Sequence, residues 1–345
     1  MNSRGDGPDG ASLVAGLGER ALIERIRLRL PQPPPSLVVG VGDDAAVAAG
    51  DRGALQVLTT DALVEGVHFD RRIASPADVG YRALAVNVSD VAAMGGTSRF
   101  ALLSLMLPDG TSVAEVDGLL DGLLELADAL RVTLAGGNIT RSPGPLVVDV
   151  TVLGSVKPRK ILARSGGHAG DSLYVTGAVG AAAAGLGWLR QHGGGRAPED
   201  PALAECVARY RRPEPRARIG AMLGRTKAAQ ACMDTSDGLA DAIRQICEAS
   251  GTGATIDASA LPVHPGARRW FEGQGQDPIA EGIGASDDYE LLFSVSRRSR
   301  GRLRGIMRES RGIRITRIGE LTSDRTVRQT AAGRAETLPA GFAHF

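Results

Sequence analysis

Val156-Lys-Pro-Arg-Lys-Ile-Leu-Ala-Arg-Ser-Gly-Gly-His-Ala-Gly170 is a polar, basic and glycine-containing passage set between two regions of strand-and-helix patterning. Ahead of it, Leu146 to Val156 reads as a buried strand, and after it Ser172 to Thr176 opens a new one. Domain boundaries fall in such exposed segments, so we place one here. At roughly 150 residues per domain, the 345-residue chain has room for about two. The expected division is 17–156 and 157–345, with a Gly- and Asp-rich tail over 1–16 expected to be disordered.

Working outward, the N-terminal half reads as helix Leu17–Leu30 and strands Leu37–Val41 and Leu55–Thr60. Helix Pro76–Met94, strand Phe100–Leu107, helix Ser112–Leu130 and strand Val132–Ala135 follow. The Leu repeat of Ser112–Leu130 gives it one apolar face. In the C-terminal half an Ala-rich helix spans Val179–Arg190. Helical patterns recur over Pro201–Tyr210, Pro215–Leu223, Gly238–Ser250 and Ser299–Arg308. Strands are expected at Ala228–Met233, Ala254–Ile256, Tyr289–Val295 and Ile313–Ile318. Both halves mix strands and helices without the alternation of a barrel, so the expected class is α+β (mixed α/β).

Composition removes several functions. Lys plus Arg (40) nearly cancels Asp plus Glu (39), leaving a formal net charge of +1, so no global field recruits nucleic acid or an anionic membrane. No apolar run reaches the roughly 18–20 residues that span a bilayer. Met1 to Ala11 lacks the basic-then-apolar order of a signal peptide. Cys206, Cys232 and Cys247 cannot all pair and form no CxxC, which speaks against a disulfide framework or a thiolate zinc site and fits a reducing cytoplasm.

The chemistry is written in the acidic residues. Gly42-Asp43-Asp44 ends the first expected strand and Thr59-Thr60-Asp61 the second. Asp90 sits in an otherwise apolar helix, in Val86-Asn-Val-Ser-Asp-Val91, and a carboxylate amid Val88, Val91, Ala92 and Ala93 is costly to bury unless paired or metal-bound. Gly136-Gly137-Asn138 follows another strand. Asp234 and Asp237 flank Thr235-Ser236 at a strand-to-helix turn, and Asp287-Asp288 precedes a strand. Taken singly, an Asp after a strand is a turn former or helix cap. Together, short carboxylates beside Gly and Thr suit hard cations such as Mg²⁺, which share their shell with waters and substrate phosphates. Competing motifs fail. No Lys follows a Gly, so there is no Walker loop. In Gly40-Val-Gly42-Asp-Asp-Ala45, two aspartates would repel a pyrophosphate at a dinucleotide loop. His68 lies near the acidic residues in sequence, but no Ser-His-Asp or Cys-His spacing supports covalent catalysis.

Read in order, these blocks resemble the thiamine-monophosphate kinase family, of the superfamily that also holds aminoimidazole ribonucleotide (AIR) synthetase, selenophosphate synthetase and a hydrogenase maturation protein. The likeness runs from about Leu17 to Phe345. It rests on Leu17-Gly-Glu-Arg-Ala-Leu-Ile-Glu-Arg-Ile26, Val41-Gly-Asp-Asp-Ala45, Thr59-Thr-Asp-Ala-Leu-Val-Glu-Gly-Val-His-Phe69 and Ala85-Val-Asn-Val-Ser-Asp-Val-Ala-Ala-Met-Gly95. It continues through Gly136-Gly-Asn-Ile-Thr-Arg141, Met233-Asp-Thr-Ser-Asp-Gly-Leu239, Asp288-Tyr-Glu-Leu-Leu-Phe293 and Gly341-Phe-Ala-His-Phe345.

The resemblance implies an AIR-synthetase-like architecture. Its N-terminal sheet domain would dimerise and bind metal and ATP, and its C-terminal α/β domain would complete the nucleotide and substrate site. It implies ATP- and Mg²⁺-dependent phosphorylation of thiamine monophosphate to thiamine diphosphate by a cytoplasmic homodimer. Asp44, Thr59, Thr60, Asp61, Asp90, Asn138, Asp234 and Asp237 would hold several Mg²⁺ ions. Asp44, Asp61, Asp90 and Asp234 would be the catalytic set. Gly137, Asn138, Arg164 and Ser236 would meet ATP. His68, Asp287 and Phe342 would meet the thiamine phosphate.

Three residues depart from the family pattern. Asp287 follows Ala285-Ser286 where Gly-Gly-Glu is usual, Asn138 replaces the commoner Asp, and Leu120 stands where an ATP-contacting Tyr occurs. The alternatives are a sibling enzyme with another acceptor, or a thiamine-phosphate- or nucleotide-binding regulator with degraded catalysis. The absence of any Cys before Cys206 weighs against selenophosphate synthetase.

Overall fold

The computed structural model describes residues 13–17, 19–39, 47–331 and 334–339. The chain forms two compact units, one of Met1–Gly50, Thr60–Leu84 and Arg99–Leu153, the other of Asp51–Thr59, Ala85–Ser98 and Gly154–Phe345. Of the expected tail, 1–12 lies outside the described residues, while Leu13 bridges Ser112 ahead of a short helix.

The N-terminal elements are α1 (Val14–Leu17), α2 (Glu19–Arg29), β1 (Leu37–Val39), β2 (Val47–Ala48), β3 (Leu55–Val64), α3 (Pro76–Ala93), β4 (Thr97–Leu107), α4 (Val113–Leu130), β5 (Thr133–Arg141) and β6 (Val147–Val156). β1 and β2 pair by themselves, and a four-stranded sheet runs in the order β3-β6-β4-β5. Strand alternation assigns its faces: Val148, Val150 and Val152 of β6 are buried beside Leu103, Leu105 and Leu107 of β4, while the intervening residues stay half-exposed. Both long helices begin with side-chain caps. Ser75 and Asp78 bond each other's backbone N–H at the start of α3, and Ser112 and Glu115 form a capping box for α4.

Two strands extend beyond their expected limits. β3 continues to Val64, so Thr59-Thr60-Asp61 lies within a strand rather than at its end. β5 continues to Arg141, so Gly136-Gly137-Asn138 also lies inside one. Pairing with a neighbouring strand overrides the local turn signal of Gly and Asn. β4 and β5 run parallel, with a register shift at Ala101/Leu102 that leaves Ala135 as an extra residue.

The second unit holds β7 (Ser172–Thr176), α5 (Ala181–His192), α6 (Pro201–Arg211), α7 (Ala217–Thr226), β8 (Cys232–Asp234), α8 (Leu239–Ser250), β9 (Gly253–Asp257), α9 (Pro265–Gly273), α10 (Pro278–Ile283), β10 (Leu291–Val295), α11 (Arg300–Glu309), β11 (Ile315–Thr322), β12 (Val327–Ala331) and β13 (Arg334–Glu336). Its seven-stranded mixed sheet has the order β13-β12-β9-β11-β7-β10-β8. The central strands are apolar on both faces because each face has its own core. Leu173, Val175, Met233 and Leu292 join α5, α6, α8 and α9 on one side. Tyr174, Cys232, Leu291 and Phe293 join α7 and α11 on the other. The mixed α/β class agrees with the sequence, whereas α9, α10, β12 and β13 were not anticipated.

Candidate functional site

The helical run of α3 places Ser89 and Asp90 side by side, and both make long-range bonds within the second unit. Thr59 Oγ1 donates to Asp90 Oδ2 at 2.5 Å. Ser89 Oγ donates to Asp234 Oδ2 at 2.6 Å. Asp234 closes β8 and is only 4% exposed. Burial pushes its carboxyl up to about 7, and the charge of Asp90 pushes the same way, with a smaller contribution from Asp237. The Ser89 hydroxyl and the Arg164 cation oppose the shift.

The turn after β8 carries Thr235, Ser236 and Asp237. Gly238 follows at φ 97°, and a Cβ there would lie 1.6 Å from the Gly284 carbonyl oxygen, so only Gly fits. Thr235 N–H donates to the Glu290 carbonyl at 2.8 Å, and Glu290 N–H donates to Thr235 Oγ1 at 3.1 Å, tying this turn to the segment bearing Asp287. Arg164 is exposed. Its Nη1 donates to Gln245 Oε1, and the Gln245 amide donates to Asp241, which orients the guanidinium from α8.

Alternation along β3 sends Asp61 to the same face as Thr59 and Thr60 to the other. Thr60 Oγ1 donates to Asp149 Oδ1 at 3.0 Å and shares a hydrogen bond with Thr151. Gly137 pairs with Leu103, and a Cβ there would stand 1.9 Å from the Leu103 carbonyl oxygen. Gly137→Ala is therefore expected to break the β4–β5 approach and lower the melting temperature by several degrees. An unchanged thermal scan would refute this. Asn138 is exposed beside Gly137. His68 sits in the turn after β3, where its Nδ1 accepts the Val64 N–H at 3.1 Å. In the neutral ring, the proton is thereby placed on Nε2.

Asp287 is half-buried next to Asp288. Asp288 accepts from Gly180 N–H (2.6 Å) and Ala182 N–H (3.0 Å), while Ser286 Oγ accepts from Ala183 N–H (3.2 Å). These two side chains cap α5 from a distant segment, because its own cap position is Gly180. Leu120 is fully buried in α4. Asp43, Asp44 and Phe342 lie outside the described residues.

The structure thus brings Thr59, Asp90, Asp234, Asp237 and Arg164 together within one unit. Among the described residues, no group of three or more His, Cys, Asp or Glu side chains is arranged to hold a metal ion. The donor chemistry still fits a hard cation. The donors are all oxygens, and a buried carboxyl faces two others whose charge it resists.

Sequence reasoning overlooked Ser89, Glu290 and Arg216. Glu290 is 0% and Arg216 3% exposed, and they form a buried ion pair. A glutamate inside the apolar run Tyr289-Glu-Leu-Leu-Phe293 was the available signal, since a buried charge demands a partner.

Comparison with known proteins gives a consistent picture. Residues 42–156 match the AIR synthase related protein, N-terminal domain, and residues 168–330 match the corresponding C-terminal domain. A thiamine-monophosphate kinase of Bacillus subtilis (strain 168) is 36% identical over 266 residues, covering 74% of this chain and 81% of that protein. The crystal structure of thiamine-monophosphate kinase from Stenotrophomonas maltophilia K279a superposes with a TM-score of 0.79 at 32% identity, over 91% of this chain and 95% of that one. A structure of AaThiL complexed with AMPPCP and TMP superposes with a TM-score of 0.75 at 30% identity, over 96% and 98%.

Proposed function

Because the chain belongs to the thiamine-monophosphate kinase family, we propose that it transfers the γ-phosphoryl group of ATP to thiamine monophosphate, yielding thiamine diphosphate and ADP. The observation that carries this reading is the buried Asp234 carboxyl set against Asp90 and Asp237. A site for anionic substrates that is itself lined by carboxylates is coherent once cations lie between them. Oxygens of Asp44, Thr59, Asp61, Asp90, Asn138, Asp234 and Asp237 would hold Mg²⁺, with Thr60, whose hydroxyl is turned to Asp149, left to contribute its backbone oxygen; the bound cations would supply charge neutralisation of the phosphates for in-line transfer.

The chain's own residues position the reactants. Arg164, braced by Gln245, offers a planar donor pair to ATP phosphate oxygens. Gly137, Asn138 and Ser236 supply further contacts to ATP, from a strand and a tight turn. His68 presents an Nε2–H donor to the thiamine phosphate, joined there by Asp287 and Phe342. The acceptor is a phosphate oxygen, already ionised near neutral pH, so no general base is required. AMPPCP and TMP, the ligands of AaThiL, are the pair this reading expects. Asp287, one methylene shorter than the usual Glu, bears on substrate affinity rather than on reaction type.

We also read the protein as a cytoplasmic homodimer that associates through the half-exposed face of the N-terminal sheet. No helix among the described residues is long and apolar enough to cross a membrane. All three cysteines are buried and unpaired, as a reducing compartment favours.

The test is incubation of the purified protein with ATP, Mg²⁺ and thiamine monophosphate, with an EDTA control, and chromatography of the thiamine phosphates. The expected result is thiamine diphosphate matched by ADP and abolished by EDTA. ATP consumption without thiamine diphosphate would assign another acceptor, and ligand binding without turnover would assign a regulator.

A further inference from the structure

A cavity of about 590 Å³ lies within the second unit, lined by none of the residues assigned above to metal, ATP or thiamine phosphate. Four segments build it: Gly95 and Thr97 line it between α3 and β4, and the other three bring its cations. The turn at 51–54 brings Arg52, the chain after β6 brings Lys157 and Lys160, and α7 brings Arg218 and Arg225. On α7, Arg218, Ala221, Met222 and Arg225 follow i, i+3, i+4, i+7 spacing, so one helix face forms a wall. The segments meet backbone to backbone at Gly224, where a Cβ would lie 2.6 Å from the Lys160 carbonyl oxygen. Lys157 Nζ donates to the Arg52 carbonyl at 2.8 Å and fastens the first two segments together.

Five cations thus surround one cavity in a chain whose net charge is +1. Two of the chain's three lysines are among them. Asp51, the single acidic lining residue, accepts from Ser155 Oγ at 2.7 Å. Arg218 reaches Glu309 at 3.9 Å, with both side chains exposed. Arg52, Lys160 and Arg225 have no ion-pair partner among the described residues. Like charges gathered this way are stabilised by an anion of opposite sign.

The lining also narrows the ligand. No aromatic residue borders the cavity, so nothing offers a nucleobase or thiamine ring a stacking surface. The volume matches small-molecule pockets rather than an extended nucleic-acid stripe. Arg218 and Arg225 are seven residues apart on a helix, about 10 Å at 1.5 Å per residue. Forks so separated, sharing one cavity with two lysines and Arg52, suit several linked phosphates better than one. We propose that this cavity is a second anion site that binds an oligophosphate of two or three phosphates, apart from the kinase site.

The experiment is calorimetric titration of the full-length protein with inorganic triphosphate in EDTA. Saturable binding is expected in the wild type and in Asp234→Asn, and affinity about tenfold or more weaker in Arg218→Ala/Arg225→Ala. Arg52→Ala/Lys160→Ala, altering the other two cation-bearing segments, should show the same loss. Circular dichroism confirms that each variant is folded. Any of four results would overturn the proposal: no saturable binding below about 1 mM, wild-type affinity in both double variants, loss of binding in Asp234→Asn, or orthophosphate bound as tightly as triphosphate.

Discussion

Asp234→Asn is expected to lower the rate of thiamine diphosphate formation by about 10²–10³-fold while raising the melting temperature of the EDTA-treated protein at pH 8. The two effects share one cause. In the folded chain the Asp234 carboxyl is pushed up to about 7 by burial and by Asp90, against an ordinary value of 3.8. Between about pH 4 and pH 7 the folded state therefore binds more protons than the unfolded state, and stability falls as pH rises. Above pH 7 the full cost of the buried charge is present. Asn carries no charge but keeps an oxygen to accept the Ser89 hydroxyl, so the metal-free variant escapes that cost. At pH 4 the two proteins should melt together. The decisive data are melting curves against pH in EDTA, beside turnover with Mg²⁺. A variant that is less stable than wild type at pH 8, or fully active at limiting Mg²⁺, would falsify the assignment. Asp90→Asn should lose turnover in the same way. It should also draw the Asp234 carboxyl back toward its ordinary value, because the Asp90 charge helps to raise it.

Glu290→Ala should give the largest loss of stability, about 3–5 kcal/mol. Glu290 is wholly buried. Arg216 Nε donates to its Oε2 at 2.6 Å and Thr176 Oγ1 at 2.5 Å, and Arg209 Nη1 donates to Oε1 at 3.4 Å. Burial opposes the Arg216 charge, yet Glu290 and Glu214 outweigh it and hold the guanidinium's pKa above its ordinary value. Removing Glu290 leaves that cation inside with only Glu214, 2.8 Å away and largely exposed. Replacing both partners, as Arg216→Met with Glu290→Leu, removes the stranded charge and should recover most of the loss. Urea midpoints of the single and double variants test this, and a double variant as unstable as Glu290→Ala would sink it. Glu290 is also continuous with Tyr289, held at φ 51°, and with Asp287. The single variant should therefore raise KM for thiamine monophosphate more than it changes kcat.

Residues close in sequence carried their structure in the sequence itself. Ser112 and Glu115 cap α4 from three positions apart, and the Leu repeat of that helix faces the core at the period of an α-helix. Ser172–Thr176, with Leu173-Tyr174-Val175 at its centre, forms a strand buried on both faces. Asp90, Asp234 and Asp237 stand out as chemical candidates from the sequence alone, because charge in apolar or turn settings is conspicuous.

Tertiary structure alone decided what those residues touch. Ser89 reaches Asp234 across 145 positions, and Asp288 caps a helix 106 positions away. Glu290 finds Arg216 across 74 positions. β3 and β5 outgrew their expected limits because partner strands satisfied backbone groups that a local turn would have left to water. The basic cavity drew its five cations from three separate segments. The physical reason is common to all of these. Propensity and periodicity act over a few residues, whereas burial of a charge or of a backbone group is settled by whichever distant partner the fold delivers.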